Sequence, residues 1–483
     1  MTFTSFRFLI FAAALLFVYY RIPTRDQWIL LLAASYLFYL QAGASYLFFI
    51  LFTTVTVYTA TRAMDANLSK FGKHAAKQEN RVLMIGCLAV NFGILFFCKA
   101  GLTDTLPLGI SFYCFQSTGY VVDVYRGSVK AEKNPFRLGL FVSFFPQLVQ
   151  GPISKYRDLA PQLYNPHPYD GRRLSFGLQR MLWGYFKKLV IADRIAVAVA
   201  ALKAPEYTGA AFLVLTVFYA LQIYSDFTGG IDIALGLSQA LGIDLAENFV
   251  HPFSSRNVAE YWRRWHISLG VWMKDYVFYP LSVSSPMRKF SKTARTRFSN
   301  LGKRLPVHLA SFVTWAATGI WHGLTPNFLL WGMLNCFVIV ASEEFKPLYA
   351  RFHKQFHLRE TKWYVRFEMF RTFVLMNLIR SCDLFPDISG YFRRLGSLFS
   401  GGSFRVPLLE LGLSPLDYGI LACGTMLMLA VSLVQEKIGK IREILWRKPL
   451  LRYVLIFSLF LATLLMGHYG IGYDAENFIY NQF

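Results

Sequence analysis

The chain has 483 residues, of which 55% are hydrophobic, 17% aromatic and 16% charged, and its mean hydropathy is +0.37. An ordinary globular domain is ~45–50% apolar and ~25% charged, so this composition excludes a soluble protein and indicates an integral membrane protein. The formal net charge of +22 admits three interpretations, which are nucleic-acid binding, attraction to anionic lipid, and membrane topology.

Apolar runs recur along the chain, and each is close to the ~20 residues that cross a bilayer as a helix. They read "FRFLIFAAALLFVYY", "WILLLAASYLFYL", "YLFFILFTTVTVYTA", "VLMIGCLAVNFGILFFC", "AAFLVLTVFYALQIY", "FLLWGMLNCFVIVA", "GILACGTMLMLAVSLV" and "YVLIFSLFLATLLM". We expect the first run to be a membrane span and not a cleaved signal, because no basic region precedes it. The sequence therefore predicts an all-α, multi-pass membrane protein.

Lys and Arg collect in the loops between these runs, as in "KFGKHAAKQENR", "MRKFSKTARTRFSNLGKR" and "QEKIGKIREILWRK". The positive-inside rule places such loops in the cytoplasm and predicts about twelve crossings, with both termini and the tail 468–483 outside. The loops carry no DNA-reading motif, so topology explains the charge better than nucleic-acid binding does.

The sequence favours one membrane domain over residues 1–483, with no metal site and no disulfide framework. Its six cysteines lie mostly within apolar runs and show no CxxC spacing, so they are interpreted as small apolar residues. We find no repeat of 20–50 residues, and no paired, interrupted helices typical of inverted-repeat transporters.

The segment "LFVSFFPQLVQGPISKYRDL" is too short to span the membrane. It is apolar for about ten residues before Pro146, and the pair Gly151-Pro152 then leads into Lys155 and Arg157. Non-helical backbone at membrane depth is tolerated only within protein or beside a wet cavity, so we expect a re-entrant segment and a cavity.

Asp226 and Asp232 lie in the otherwise apolar stretch "QIYSDFTGGIDIALGLSQALG". A charge at the bilayer centre costs roughly 2.5–3.5 kcal/mol, so such carboxylates face the protein interior or water. Two interpretations stay open: they line a substrate path, or they bond to neighbouring helices and hold a kink at Gly229-Gly230.

Residues 257–281, "NVAEYWRRWHISLGVWMKDYVFYPL", predict one amphipathic helix at the membrane interface. Asn257 followed by Glu260 is a helix-start signature. Apolar residues then recur at spacings of 3, 4, 3 and 4, which predicts one face with its rings in the headgroup layer: Trp262, Trp265, Leu269, Trp272 and Tyr276. The helix is either an anchor only, or it brings His266 to the inner rim of a cavity.

The stretch "GIWHGLTPN" places His322 between Trp321 and Gly323, directly after an apolar run. A neutral imidazole near pH 7 can remove a proton from a hydroxyl, and a positioned general base contributes ~10²–10⁴-fold. We expect Gly323 to leave room for a substrate. The alternative is a structural histidine.

Five ordered blocks, "LGISFYCFQSTGYVVDVYRG", "FFPQLVQGPISKYRDLAPQL", "YSDFTGGIDIALGLSQALG", "EYWRRWHISLGVWMKDYVFYPL" and "GIWHG", resemble the membrane-bound O-acyltransferase (MBOAT) family. The bacterial branch with the alginate O-acetylation protein and the peptidoglycan O-acetyltransferases is the most similar. The resemblance implies a ring of about twelve helices around a tunnel, with catalytic blocks within 107–340. The chain departs from the family at Gly230, at Ile231 and in "RSCDLF" (380–385).

The resemblance also implies the chemistry. His322 would act as the general base and His266 would orient or polarise a thioester carbonyl, with acetyl-CoA as donor substrate and no bound cofactor. The acceptor would be an extracytoplasmic polysaccharide such as alginate or peptidoglycan, reached with a secreted SGNH-type partner at the bacterial cell membrane. Further candidates for the tunnel and for donor phosphates are Tyr224, Asp226, Asp232, Trp321, Arg263, Arg264, Lys155 and Arg157, although topology alone explains the basic ones.

Three alternatives stay open: D-alanyl transfer to teichoic acid from a carrier-protein thioester, a transporter without covalent chemistry, and a scaffold of a glycan export machine. The tail "ENFIYNQF" adds a hypothesis about Tyr480. A phenol of pKa ≈ 10 is deprotonated more easily than a sugar alcohol, so Tyr480 is a candidate acyl relay on the outer side. The alternative is an aromatic anchor at the outer interface.

Overall fold

The computed structural model describes residues 1–103, 106–358, 361–400, 405–439 and 441–469. Over these ranges the regular structure is helical, and one isolated antiparallel bridge joins Phe249 and Trp265. The all-α class predicted from sequence is confirmed. Tyr480 and most of the predicted extracytoplasmic tail lie outside the described residues.

The first helices in chain order are α1 (Phe6–Tyr19), α2 (Gln27–Ala42), α3 (Ala44–Lys99), α4 (Ile110–Tyr125), α5 (Pro135–Ser143), α6 (Phe145–Leu148), α7 (Tyr156–Tyr164), α8 (Gly171–Tyr185), α9 (Asp193–Leu202), α10 (Ala210–Ala240) and α11 (Val258–Arg264). They are followed by α12 (Ile267–Met273), α13 (Tyr279–Ser282), α14 (Ser285–Gly302), α15 (Leu305–His322), α16 (Pro326–Glu344), α17 (Lys346–Phe356), α18 (Lys362–Arg380), α19 (Ile388–Gly396), α20 (Pro415–Ile438), α21 (Ile441–Trp446) and α22 (Pro449–Met466). Two π-helical segments, Phe186–Ala192 and Lys274–Phe278, extend α8 and α12.

Several of these helices are suited to a bilayer. By length and composition, α3, α10, α16, α20 and α22 are long and apolar enough to cross a membrane. Large apolar side chains are exposed along α22, including Leu450, Phe457 and Leu465, as expected of a surface that contacts lipid rather than water.

Helix α3 contains a sharp turn where the sequence predicts a cytoplasmic loop. Its 56 residues are interrupted at Gly72, which has φ 74° and ψ 170°. Only glycine adopts such a conformation readily, so the chain reverses there without a loop. The Asn91 amide donates to the Thr56 hydroxyl at 3.3 Å and the Asn80 amide to the Met64 carbonyl at 3.1 Å, which holds the two arms together.

The segment predicted to be re-entrant is two short helices, α5 and α6, with a break at Phe144. Residues 138–153 are buried, so the broken backbone is covered by protein, as the prediction requires. The Gln116 amide donates to the freed Phe141 carbonyl at 2.6 Å, and the Gln147 amide donates to the Gln116 side-chain oxygen at 2.9 Å. Buried amides thus replace the missing helical hydrogen bonds.

The chain divides into two compact units. The described residues within 1–189, 226–246 and 442–469 form the first unit, and those within 190–225 and 247–441 form the second.

Within the first unit, glycines allow α8 to contact the C-terminal part of α10 closely. A Cβ on Gly177 would lie 2.4 Å from the Gly236 carbonyl oxygen, and one on Gly184 would lie 2.6 Å from that of Gly229. Helix α10 runs without interruption through Gly229 and Gly230. These glycines allow close helix packing, and the kink stays a prediction.

Candidate active site

His322 is the last residue of α15, in the second unit, and it is half-buried. Its ring meets the Trp331 ring edge-on at a centroid distance of 5.0 Å and stacks on the Phe328 ring at 6.4 Å. Both aromatic residues belong to α16, which follows after a short turn.

The turn after His322 is closely packed at Gly323. A Cβ at this position would lie 2.2 Å from a ring carbon of Phe328, so a larger residue would clash there, and room for a substrate beside Gly323 stays a prediction. Two nearby glycines are equally confined, since a Cβ on Gly319 would meet the Phe328 carbonyl oxygen, and one on Gly332 that of Trp315, both at 2.5 Å. All three glycines allow α15 and α16 to pack closely.

His266 lies at a break where the sequence predicts one continuous helix. Helix α11 ends at Arg264, Trp265 is extended, and His266 has φ 48° and ψ 51°, in the left-handed region. A non-glycine residue in that region is uncommon, and such residues concentrate at functional sites. The predicted start is confirmed, because the Asn257 side chain accepts from the Glu260 amide at 2.9 Å.

Asn248 stabilises the backbone at the break between α11 and α12. Its carbonyl oxygen accepts from the Ile267 amide at 3.0 Å and its side-chain oxygen from the Ser268 amide at 2.9 Å. Its side-chain nitrogen lies 3.3 Å from His266 Nδ1. Both Asn248 and His266 are buried, and burial lowers the pKa of His266 to about 3. The imidazole is therefore neutral at physiological pH.

Trp321 connects the two histidines. Its ring centroid lies 4.8 Å from that of His322 and 6.3 Å from that of His266. The structure thus brings together three residues that the sequence analysis named.

The rings predicted to lie in the headgroup layer are largely inside the protein. Trp265 and Trp272 are buried, and Trp262 meets Trp315 at 5.2 Å and Trp331 at 5.5 Å. The predicted single aromatic face on one continuous helix is wrong, because the helix is interrupted at Trp265 and His266.

Arg380, from the unusual "RSCDLF" stretch, contacts the aromatic residues next to His266, and these residues are called the aromatic wall below. Its guanidinium lies 3.9 Å from the centroid of the Trp265 ring and donates to the Tyr261 hydroxyl at 2.8 Å. Tyr224 packs on the same aromatic wall. Its ring centroid lies 6.1 Å from that of Trp265 and 4.7 Å from that of Phe253. Arg380 is buried, and the sequence analysis did not assign it a role.

The two arginines of α11 differ in their surroundings. Arg264 bonds to the carboxylates of Glu260 at 2.8 Å and Glu436 at 2.9 Å, so its charge is already balanced. Arg263 is exposed. Of the pair, Arg263 is therefore better suited to contact an anionic substrate.

Asp226 and Asp232 belong to the first unit, and each forms ion pairs there. Asp226 bonds to Lys188 at 2.6 Å, while Asp232 bonds to Lys187 at 2.6 Å and Arg180 at 2.8 Å. Charges inside a protein require such partners. This arrangement agrees with the interpretation that the carboxylates bond to neighbouring helices.

Comparison with known proteins adds a family match. The model of the membrane-bound O-acyltransferase family matches residues 134–382, a range that includes Asn248, His266 and His322. A probable alginate O-acetylase of Pseudomonas fluorescens is 35% identical over 343 residues, which cover 69% of this chain and 64% of the relative. The chain thus spans a little under two thirds of that relative.

Two other relatives have different names. A peptidoglycan O-acetyltransferase of Helicobacter pylori is 30% identical over 277 residues, covering 51% of this chain and 49% of the relative. A teichoic acid D-alanyltransferase of Bacillus subtilis is 29% identical over 245 residues, covering 50% of this chain and 59% of the relative.

Proposed function

Because the chain belongs to the membrane-bound O-acyltransferase family, we propose that it transfers a short acyl group, acetyl, from a cytoplasmic thioester to a hydroxyl of an extracytoplasmic polysaccharide. The relatives named as alginate O-acetylase and peptidoglycan O-acetyltransferase support both the acetyl group and the polysaccharide. The observation that carries the proposal is the pair of imidazoles, His266 and His322, beside the Trp321 ring.

In the proposed reaction His322 is the general base. Its imidazole takes the proton of the acceptor hydroxyl as the oxygen attacks the thioester carbonyl. The new C–O bond gives a tetrahedral oxyanion, which collapses with cleavage of the C–S bond. The imidazolium of His322 then returns the proton to the leaving thiolate, so that charge and protons balance. His266 orients and polarises the thioester carbonyl.

Acetyl-CoA is the proposed donor. Its phosphates require cationic partners on the cytoplasmic side, and the exposed Arg263 is suited to this role. We extend the proposal to about twelve crossings around a tunnel in the bacterial cell membrane, with both termini outside, because the basic loops follow the positive-inside rule. An SGNH-type secreted transferase is the proposed partner.

The tail residue Tyr480 is the proposed relay from the membrane protein to that partner. His322 would deprotonate the phenol, which would accept the acetyl group as an aryl ester and pass it on. Tyr480→Phe keeps the ring and removes the oxygen, so polysaccharide acetylation should stop while donor binding persists. Normal acetylation by Tyr480→Phe would leave the tail as an aromatic anchor.

D-alanyl transfer is a second candidate, because relatives named teichoic acid D-alanyltransferase share 29% and 28% identity with the chain. Its donor is a carrier-protein thioester instead of acetyl-CoA. Purified protein in proteoliposomes, offered either radiolabelled acetyl-CoA or a D-alanyl carrier protein, distinguishes the two by which label reaches the acceptor.

The test of the proposed chemistry is His322→Ala, with His308→Ala as the matched control. His308 lies on the same helix and bonds to Glu344 at 2.8 Å, so it controls for the loss of an imidazole from α15. We expect His322→Ala to lower transfer by ~10²–10⁴-fold at an unchanged melting temperature, and His308→Ala to keep it. Retention of more than about a tenth of transfer by His322→Ala contradicts the proposal and favours a transporter or scaffold.

A further inference from the structure

Asn248 is a buried polar residue that the proposed mechanism does not yet use. It is fully buried, and it lies 18 residues before His266 in the chain. Its main-chain and side-chain oxygens accept from two consecutive amides, those of Ile267 and Ser268, on the far side of the break at His266. One asparagine therefore fixes the backbone that places the imidazole.

The bond from Ser268 also determines which way the Asn248 amide faces. A main-chain N–H is a donor only, so the Asn248 side-chain atom that the Ser268 N–H contacts at 2.9 Å must be the amide oxygen, Oδ1. The other terminal atom, 3.3 Å from His266 Nδ1, is then the NH₂ group. The usual ambiguity of an amide side chain is removed here by the main chain.

An NH₂ group cannot accept a hydrogen bond, so His266 Nδ1 must offer its lone pair. In a neutral imidazole the single proton then resides on Nε2. Burial keeps the ring neutral, since it lowers the pKa of His266 to about 3. His266 is thus a hydrogen-bond donor at Nε2 and has no accessible second protonation state near pH 7.

We propose that Asn248 is a positioning residue that holds His266 in the Nε2–H tautomer, so that His266 donates a hydrogen bond to the thioester carbonyl and does not act as a base. This inference rests on the proposed acyl transfer. It separates the two histidines by role: His322, half-buried at a helix C-terminus, exchanges the proton, and His266, buried and neutral, stabilises the oxyanion.

The left-handed backbone of His266 supports this role. A histidine with φ 48° is held there by its surroundings, and the bonds from Ile267 and Ser268 to Asn248 supply that restraint. The antiparallel bridge between Phe249 and Trp265 continues the same pairing on the other side of the break. Donors that are fixed before the reaction need no reorganisation when the oxyanion forms.

A direct test observes the tautomer. Protein labelled with ¹⁵N-histidine in detergent micelles contains nine imidazoles, and comparison with His266→Gln assigns the His266 signals. We expect a neutral ring with its proton on Nε2 and an unprotonated Nδ1. A proton on Nδ1, or a charged ring at pH 7, overturns the inference. This measurement needs no acyl transfer, so it is separable from a failure of the proposed function.

Two variants test the consequence for transfer. Gln at position 266 can place an amide N–H where Nε2 lies but cannot act as a base, so His266→Gln should keep far more transfer than His266→Ala. Asn248→Leu keeps the shape but releases the ring, and it should lower turnover by on the order of 10²-fold with acetyl-CoA binding unchanged. In Asn248→Leu the ¹⁵N signals of His266 should then report a mixture of the Nδ1–H and Nε2–H tautomers.

The control for losing a buried asparagine is Asn80→Leu in α3. Asn80 is also buried and makes two side-chain hydrogen bonds, with Asn67 and with the Met64 carbonyl. A comparable fall in melting temperature for Asn80→Leu and Asn248→Leu, with loss of transfer only in Asn248→Leu, supports the inference. Equal inactivity of His266→Gln and His266→Ala, or full turnover by folded Asn248→Leu, overturns it.

Discussion

A methyl group added at Gly323 tests whether the turn after His322 is packed or open. The new Cβ would lie 2.2 Å and 2.3 Å from two carbons of the Phe328 ring, whereas ordinary contact begins at 3.4 Å. Gly323 itself has φ −169°, which any residue adopts, so backbone strain does not contribute. The loss of stability expected for Gly323→Ala therefore comes from the steric clash with Phe328 alone. Overpacking of this kind typically destabilises by 1–3 kcal/mol, and we expect about 2 kcal/mol for Gly323→Ala.

The clash can be relieved from the other side. Phe328→Ala removes the ring, so Gly323→Ala should cost almost nothing in the Phe328→Ala background, a coupling of about 2 kcal/mol between the two changes. Gly319→Ala is the matched counterpart, because its Cβ would meet the Phe328 main-chain oxygen at 2.5 Å. A side-chain change cannot move that oxygen away, so Phe328→Ala should not rescue Gly319→Ala.

The measurement is the melting temperature of each variant in detergent, together with acetyl transfer by the same samples. Gly86→Ala is the control for adding a methyl group to a helix, since nothing lies within 4 Å of its Cβ position. It should be neutral or slightly stabilising. If Gly323→Ala melts like the wild type and instead raises KM for the acceptor, the space beside Gly323 serves the substrate and the packing argument is wrong.

Three further predictions concern buried and exposed charges. Lys188→Met should lower stability by about 3–5 kcal/mol because it breaks a buried ion pair by removing the cation that bonds to Asp226, and adding Asp226→Leu should recover much of this loss. Loss of transfer by Asp226→Asn at a normal melting temperature would instead indicate a substrate role. Arg263→Ala should raise KM for acetyl-CoA, most at low salt, with no change in melting temperature. Arg264→Ala should instead lower the melting temperature, because it removes the cation that bonds to Glu260 and Glu436. The reverse pattern contradicts these assignments. Burial lowers the pKa of His266 from 6.5 to about 3, so between these pH values the unfolded chain binds a proton at His266 and the folded chain does not. Stability should therefore be lost as pH falls from 6.5 towards 3. His266→Gln should reduce this dependence of melting temperature on pH, and an identical dependence in both proteins refutes the prediction.

Composition and local pattern were sufficient to predict several features. Apolar content and the length of the apolar runs predicted a helical membrane protein, because a bilayer allows few other solutions. The Asn257 cap was predictable because capping acts over three residues. The motif around His322 and the block around His266 indicated both candidate active-site residues and the family, since the residue types and their order are visible in the sequence itself.

The tertiary structure decided what depends on contacts between distant segments. The period of Trp262, Trp265 and Leu269 predicts a continuous helix, but Asn248 bonds to Ile267 and Ser268 and stabilises a left-handed residue between two helices. No local pattern reports a hydrogen bond over 18 residues.

The glycines illustrate the same limit. In the sequence, Gly323 is compatible with an open site and Gly229 with a kink, because glycine permits both. Only the positions of Phe328 and Gly184 show that each glycine allows a close contact. Residue types and their order in the sequence were enough to predict the class of the protein and its candidate active-site residues. The tertiary structure determined which nitrogen of His266 carries the proton, because that depends on an asparagine placed by packing.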